Sequence, residues 1–147
     1  MRRALTLVAI LTAAACTTTD DSVCTPGAPC ECTTVTACSK SCRGTACAMT
    51  CSGAGACDLD CPEGGCTFDC KGTGTCNATC TKAGCTMNAT ASGSSTLDCP
   101  GGKCTLKATG NGATVLRCSG NGCTFDCSSN GTCELQACTK DCALKCK

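Results

Sequence analysis

Residues 57–76 read CDLDCPEGGCTFDCKGTGTC. Two five-residue units, at 57–61 and 66–70, share the form Cys-x-apolar-x-Cys, with Leu59 and Phe68 at their centres. Alternation over five residues is the pattern of a β-strand, whose first, third and fifth side chains share one face. A helix would turn the central residue away from both cysteines. The spacers PEGG and KGTGT are turn sequences that stop a helix before it can propagate. The stretch therefore reads as strand, turn, strand, turn.

The unit recurs with a beat of 9 and 10 residues at positions 38, 47, 57, 66, 76, 85, 95, 104, 114, 123, 133 and 142, where only Ser95 and Thr114 are not cysteine. Two units make a 19-residue period, the mark of a quasi-one-dimensional repeat fold. The central residues are Met49, Leu59, Phe68, Ala78, Met87, Leu97, Leu106, Leu116, Phe125, Leu135 and Leu144, and only Lys40 breaks the series. The expected fold is all-β: a flattened two-sheet β-solenoid with 19-residue coils and disulfide-clamped turns. The beat implies twelve strands, six to a sheet, behind a short irregular N-terminal cap.

The substitutions expose the pairing. If the last cysteine of each strand bonds the first cysteine of the next, nine pairs result: Cys42 with Cys47, Cys51 with Cys57, Cys61 with Cys66, Cys70 with Cys76, Cys80 with Cys85, Cys99 with Cys104, Cys118 with Cys123, Cys127 with Cys133, and Cys138 with Cys142. The last is one residue out of register, because Ala137 holds the expected place. Two turns lack cysteine, and each lacks both partners: Ala89 with Ser95, and Ala108 with Thr114. Joint loss is what a bonded pair leaves behind. The pattern extends back to Cys32 with Cys38, and Cys24 with Cys30 closes the Pro-containing cap. Cys146 is left over. Bridged Cα atoms sit closer together than two packed sheets do, so each coil should be pinched at its turns and wider at its middle.

Composition agrees. The chain has 147 residues, 24 Cys, 17 Gly, two Phe and no Trp, Tyr or His. Bridges stand in for a conventional core. The net charge of +1 gives no electrostatic case for nucleic acid.

Met1-Arg2-Arg3 followed by apolar residues 4–15 reads as an export signal, too short to span a bilayer. Leu11-Thr12-Ala13-Ala14-Ala15-Cys16 resembles the lipobox of bacterial lipoproteins, with Ala13 where that family usually has Leu. The resemblance implies a lipidated Cys16 as mature N-terminus. Ala13-Ala14-Ala15 also fits ordinary signal cleavage, in which case Cys16 is free to close onto Cys146. With Cys16 lipidated, Cys146 becomes a free or intermolecular thiol and a minor disulfide-linked dimer is expected. The expected organisation is 1–15 signal peptide, 16–23 lipidated Cys16 and tether, 24–37 cap, 38–147 solenoid. The disulfide-bridged coil architecture resembles insect antifreeze β-solenoids without sharing their shorter repeat. Composition and layout are similar to those of uncharacterised Cys-rich lipoproteins of environmental bacteria.

The functional expectation is an exported, lipid-anchored structural or surface-display protein of the bacterial cell envelope, at the outer membrane or cell surface. It becomes periplasmic or secreted if Cys16 is not lipidated. No catalytic site and no cofactor are expected: no His stands beside any Ser, Cys or Lys, and the only partners implied are the membrane and an unknown protein or glycan. Outward Asp58, Asp60 and Asp98 fit a solvated face better than a Ca²⁺ site, which needs six or more converging oxygens. One rival is soft-metal binding, since many Cys without His resembles metallothionein-like proteins. Against it, the two cysteines of one strand stand roughly 13 Å apart. Another is an ice- or carbohydrate-binding face on the ladder Thr67, Thr86, Thr105 and Thr124, although its neighbouring column is charged and irregular.

Overall fold

The computed structural model describes residues 22–147. The signal segment, Cys16 and the tether up to residue 21 lie outside the described residues.

Among the described residues, fourteen strands form two parallel seven-stranded sheets. The first holds, in order, β1 (Val23–Cys24), β3 (Cys38–Cys42), β5 (Cys57–Cys61), β7 (Cys76–Cys80), β9 (Ser95–Asp98), β11 (Thr114–Arg117) and β13 (Cys133–Gln136). The second holds β2 (Cys30–Cys32), β4 (Ala48–Cys51), β6 (Thr67–Cys70), β8 (Thr86–Ala89), β10 (Thr105–Ala108), β12 (Thr124–Cys127) and β14 (Ala143–Cys146). Each strand pairs with the strands one coil before and after it, so the chain winds as a two-sheet solenoid. The step is the 19-residue period, as in Leu59 beside Ala78 and Phe68 beside Met87.

The solenoid reaches further toward the N-terminus than the cysteine beat alone indicates. Six strands per sheet are expected and seven are found, because β1 and β2 lie in the segment read as an irregular cap. Pro26 and Pro29 fall between these two strands, so neither removes a ladder hydrogen bond. The first coil is tapered. Cys24 stands in register with Cys42, but Cys30 stands in register with the core residue Met49. The Cys24–Cys30 bridge thereby draws the chain across the end of the core.

The core is two interior columns, one per sheet. Leu59, Ala78, Leu97 and Leu116 line one, and Met49, Phe68, Met87, Leu106 and Phe125 line the other, all buried. Lys40 takes the inward place beside Leu59 and is only 8% exposed. At the far end the columns surface, with Leu135 half-buried and Leu144 exposed.

The five-residue turns explain a feature of the spacers that turn propensity does not. Their fourth residue is Thr36 in the first and glycine at 55, 74, 93, 112 and 131 in the rest. A Cβ on Gly74 would stand 2.0 Å from the carbonyl oxygen of Gly55, and one on Gly112 would stand 1.8 Å from that of Gly93. Backbone of one coil rests directly on backbone of the next there, and only glycine leaves room.

Candidate functional site

Sulfur is arranged along two edges of the solenoid. Among the described residues eleven bridges form, and they join all the pairs named from the sequence. Their Cα–Cα distances run from 5.6 to 6.4 Å, which narrows each coil at its turns. The four-residue turns carry Cys42–Cys47, Cys61–Cys66, Cys80–Cys85, Cys99–Cys104, Cys118–Cys123 and Cys138–Cys142. The five-residue turns carry Cys32–Cys38, Cys51–Cys57, Cys70–Cys76 and Cys127–Cys133. Between the last two of these the edge is filled by Ala89 with Ser95 and Ala108 with Thr114, all buried. Cys146 is a free, exposed thiol in register with Cys127.

Stacking brings sulfurs of different bridges together. The Sγ atoms of Cys42, Cys61 and Cys66 lie within 4.8 Å of one another, as do those of Cys80, Cys99 and Cys104. Cys142 Sγ lies 3.9 Å from Cys118 Sγ. Reading along a single strand misses this proximity. The signal that reveals it is the 19-residue spacing of Cys42, Cys61, Cys80, Cys99 and Cys118, which one parallel register turns into a column.

The outer faces carry polar columns. Thr67, Thr86, Thr105 and Thr124 stand in unbroken parallel register. Beside them run Thr50, Asp69, Asn88, Lys107, Asp126 and Lys145, also in register. Asn88 Nδ2 donates to Asp69 Oδ1 at 2.8 Å, and Lys71 approaches Asp69 at 3.7 Å. A mixed charged column of this kind roughens the surface beside the threonine ladder. On the opposite sheet, Asp58 accepts from Asn77 Nδ2 at 3.0 Å and Asp60 from Ser41 Oγ at 3.3 Å. Asp98 stands in register between Thr79 and Arg117. These three carboxylates belong to coil-to-coil polar columns and do not converge with other acids of the described residues. An open depression of about 240 Å³ near the N-terminal end is lined by Ser22, Thr34, Thr36, Ala37, Cys38, Ser39 and Lys40.

Fold and edges together define a disulfide-clamped β-solenoid. No family model matches the chain, and neither a curated protein nor a solved structure matches it.

Proposed function

We propose that the chain is an exported scaffold: a covalently clamped rod, lipid-anchored through Cys16, that holds its outer columns away from a bacterial membrane for a protein or glycan partner. The observation that supports this reading is the union of one continuous parallel register with eleven local bridges. Each short-loop bridge contributes about 2 kcal/mol by the chain-entropy relation. Together they supply stability that the sparse apolar core does not, and they persist in an oxidising, exported setting.

Two measurements test it. Palmitate labelling in a bacterial host should mark the wild-type chain and not Cys16→Ser; equal labelling of both, or none, removes the anchor and leaves a periplasmic or secreted rod. The oxidised chain should resist trypsin and become digestible once reduced. Equal digestion in both states defeats the scaffold reading.

A second reading, soft-metal binding, is favoured by the sulfur groups Cys42/Cys61/Cys66 and Cys80/Cys99/Cys104. The separation of cysteines along one strand does not bar it, since the ligands come from consecutive coils. It requires thiolates in place of bridges. Cd²⁺ retained in whole-number stoichiometry by the reduced chain through gel filtration supports this reading, and loss of all metal on the column removes it.

A further inference from the structure

A disulfide is opened by a thiolate that reaches one sulfur while the other leaves. Access to one sulfur therefore decides which bridge reacts, and the surroundings of the other decide where the released thiolate attacks next. On the four-residue edge, the ten cysteines from Cys42 to Cys123 are at most 1% exposed. On the five-residue edge, Cys38 and Cys133 are half-buried and their partners Cys32 and Cys127 are buried. Among the bridges of the described residues, Cys138–Cys142 alone has an exposed member, Cys138, and its other member, Cys142, is half-buried.

The backbone around this bridge is also set apart. In all six four-residue turns the residue before the closing cysteine has positive φ: Ala46, Gly65, Gly84, Lys103, Gly122 and Asp141. Where a second such residue occurs in the other turns it is glycine, as at Gly44, Gly64 and Gly102; in the last turn it is Ala137, at φ 55° just before the opening cysteine. The cause is the one-residue slip: Ala137 fills the slot in which the other coils place cysteine, and the bridge closes over a separation of 4 instead of 5. A left-handed residue other than glycine is disfavoured by its Cβ, and two of them flank this bridge, whereas the other bridged turns of the described residues carry at most one, so opening it releases the larger constraint.

The leaving sulfur has a second bridge within reach. Cys142 Sγ lies 3.9 Å from Cys118 Sγ, whose own partner is Cys123.

The geometry points to Cys138–Cys142 as a thiol–disulfide exchange site whose substrate is an external thiol, with Cys118–Cys123 as its internal relay. This inference does not depend on the scaffold reading. An external thiolate attacks Cys138 Sγ; the Cys138–Cys142 bond breaks, and Cys142 leaves as a thiolate. Cys142 then attacks Cys118 Sγ; a Cys142–Cys118 bond forms, the Cys118–Cys123 bond breaks, and Cys123 leaves as a thiolate. The proton lost by the external thiol is taken up at Cys123. The number of disulfides is unchanged, and the products are a mixed disulfide at Cys138, a Cys142–Cys118 bridge and a thiol at Cys123. A second external thiol resolves the mixed disulfide, so the two thiols leave oxidised to their own disulfide.

The test uses the full oxidised chain carrying Cys146→Ser, which removes the free thiol as a competitor. It is exposed to limiting glutathione at mildly alkaline pH, quenched with acid, alkylated with a maleimide and mapped by peptide mass. The glutathione adduct should appear at Cys138 at least about tenfold faster than at any other cysteine, because buried bridges wait for local opening. Maleimide on Cys123 and a Cys142–Cys118 cross-link should grow in afterwards. With Cys118→Ala and Cys123→Ala added, the adduct should persist and the maleimide should remain on Cys142. Equal rates at all bridges, or first reaction at Cys38 or Cys133, overturns the entry site. An adduct at Cys138 with no Cys142–Cys118 cross-link overturns the relay.

Discussion

Ser95 stands in register with Cys76, the cysteine that closes the preceding five-residue turn. It occupies the place of a bonded sulfur, is 1% exposed, and its Oγ has no hydrogen-bond partner. Across the same turn Ala89 stands in register with Cys70, the bonded partner of Cys76. A coil has thus kept the shape of the bridge while losing its bond. Combining Ala89→Cys with Ser95→Cys should close a twelfth bridge and raise stability by about 2 kcal/mol. Thiol titration should find no more free thiols than in wild type, and chemical denaturation should show the gain. Ser95→Ala alone should be neutral or stabilising by up to about 1 kcal/mol, since it removes an unpaired buried hydroxyl.

Removing one bridge as a pair should act locally. Cys61→Ala with Cys66→Ala should cost about 2 kcal/mol and leave the circular dichroism of the sheets unchanged. The single change Cys61→Ala should be worse. It frees Cys66, whose Sγ lies within 4.8 Å of Cys42 Sγ, and peptide mapping should then find Cys66 bonded to Cys42 with Cys47 released. A double variant that unfolds outright contradicts local clamping.

Two glycines separate steric from conformational cost. Gly112→Ala forces a Cβ onto the Gly93 carbonyl and should lose at least about 3 kcal/mol. Gly84 has φ +86° but open space where a Cβ would go, so Gly84→Ala should lose only about 1 kcal/mol. Thermal unfolding of both variants checks the order. A reversal would mean that the coils do not rest backbone on backbone at the five-residue turns.

The exposed thiol of Cys146 should give a minor disulfide-linked dimer on non-reducing electrophoresis, absent in Cys146→Ser. A dimer band that survives the substitution, or a Cys16–Cys146 linked peptide, would defeat this and favour ordinary signal cleavage.

The strands and bridges were legible because both depend on spacing along the chain. Alternation around Leu59 or Phe68 places three side chains inward, and the paired losses at Ala89/Ser95 and Ala108/Thr114 identify bonded partners. The first coil was less legible: β1 has only two residues and β2 only three, yet pairing with β3 and β4 is enough to extend the sheets. The sulfur groups and the glycine column depend on contacts between coils. Those contacts are fixed by register rather than by neighbours in sequence, so spacer composition announces a turn without saying what lies against it.

Every bridge among the described residues joins two strands consecutive in the chain, so none of them ties together stacked strands of one sheet. The rod's length is accordingly a copy-number variable. Excising residues 86–104 would remove one period together with its own Cys99–Cys104 bond, joining Cys85 to Thr105 with the register intact. The rod would shorten by about 4.8 Å, one strand spacing. Unequal recombination between similar coils would thus yield shorter or longer rulers rather than broken proteins.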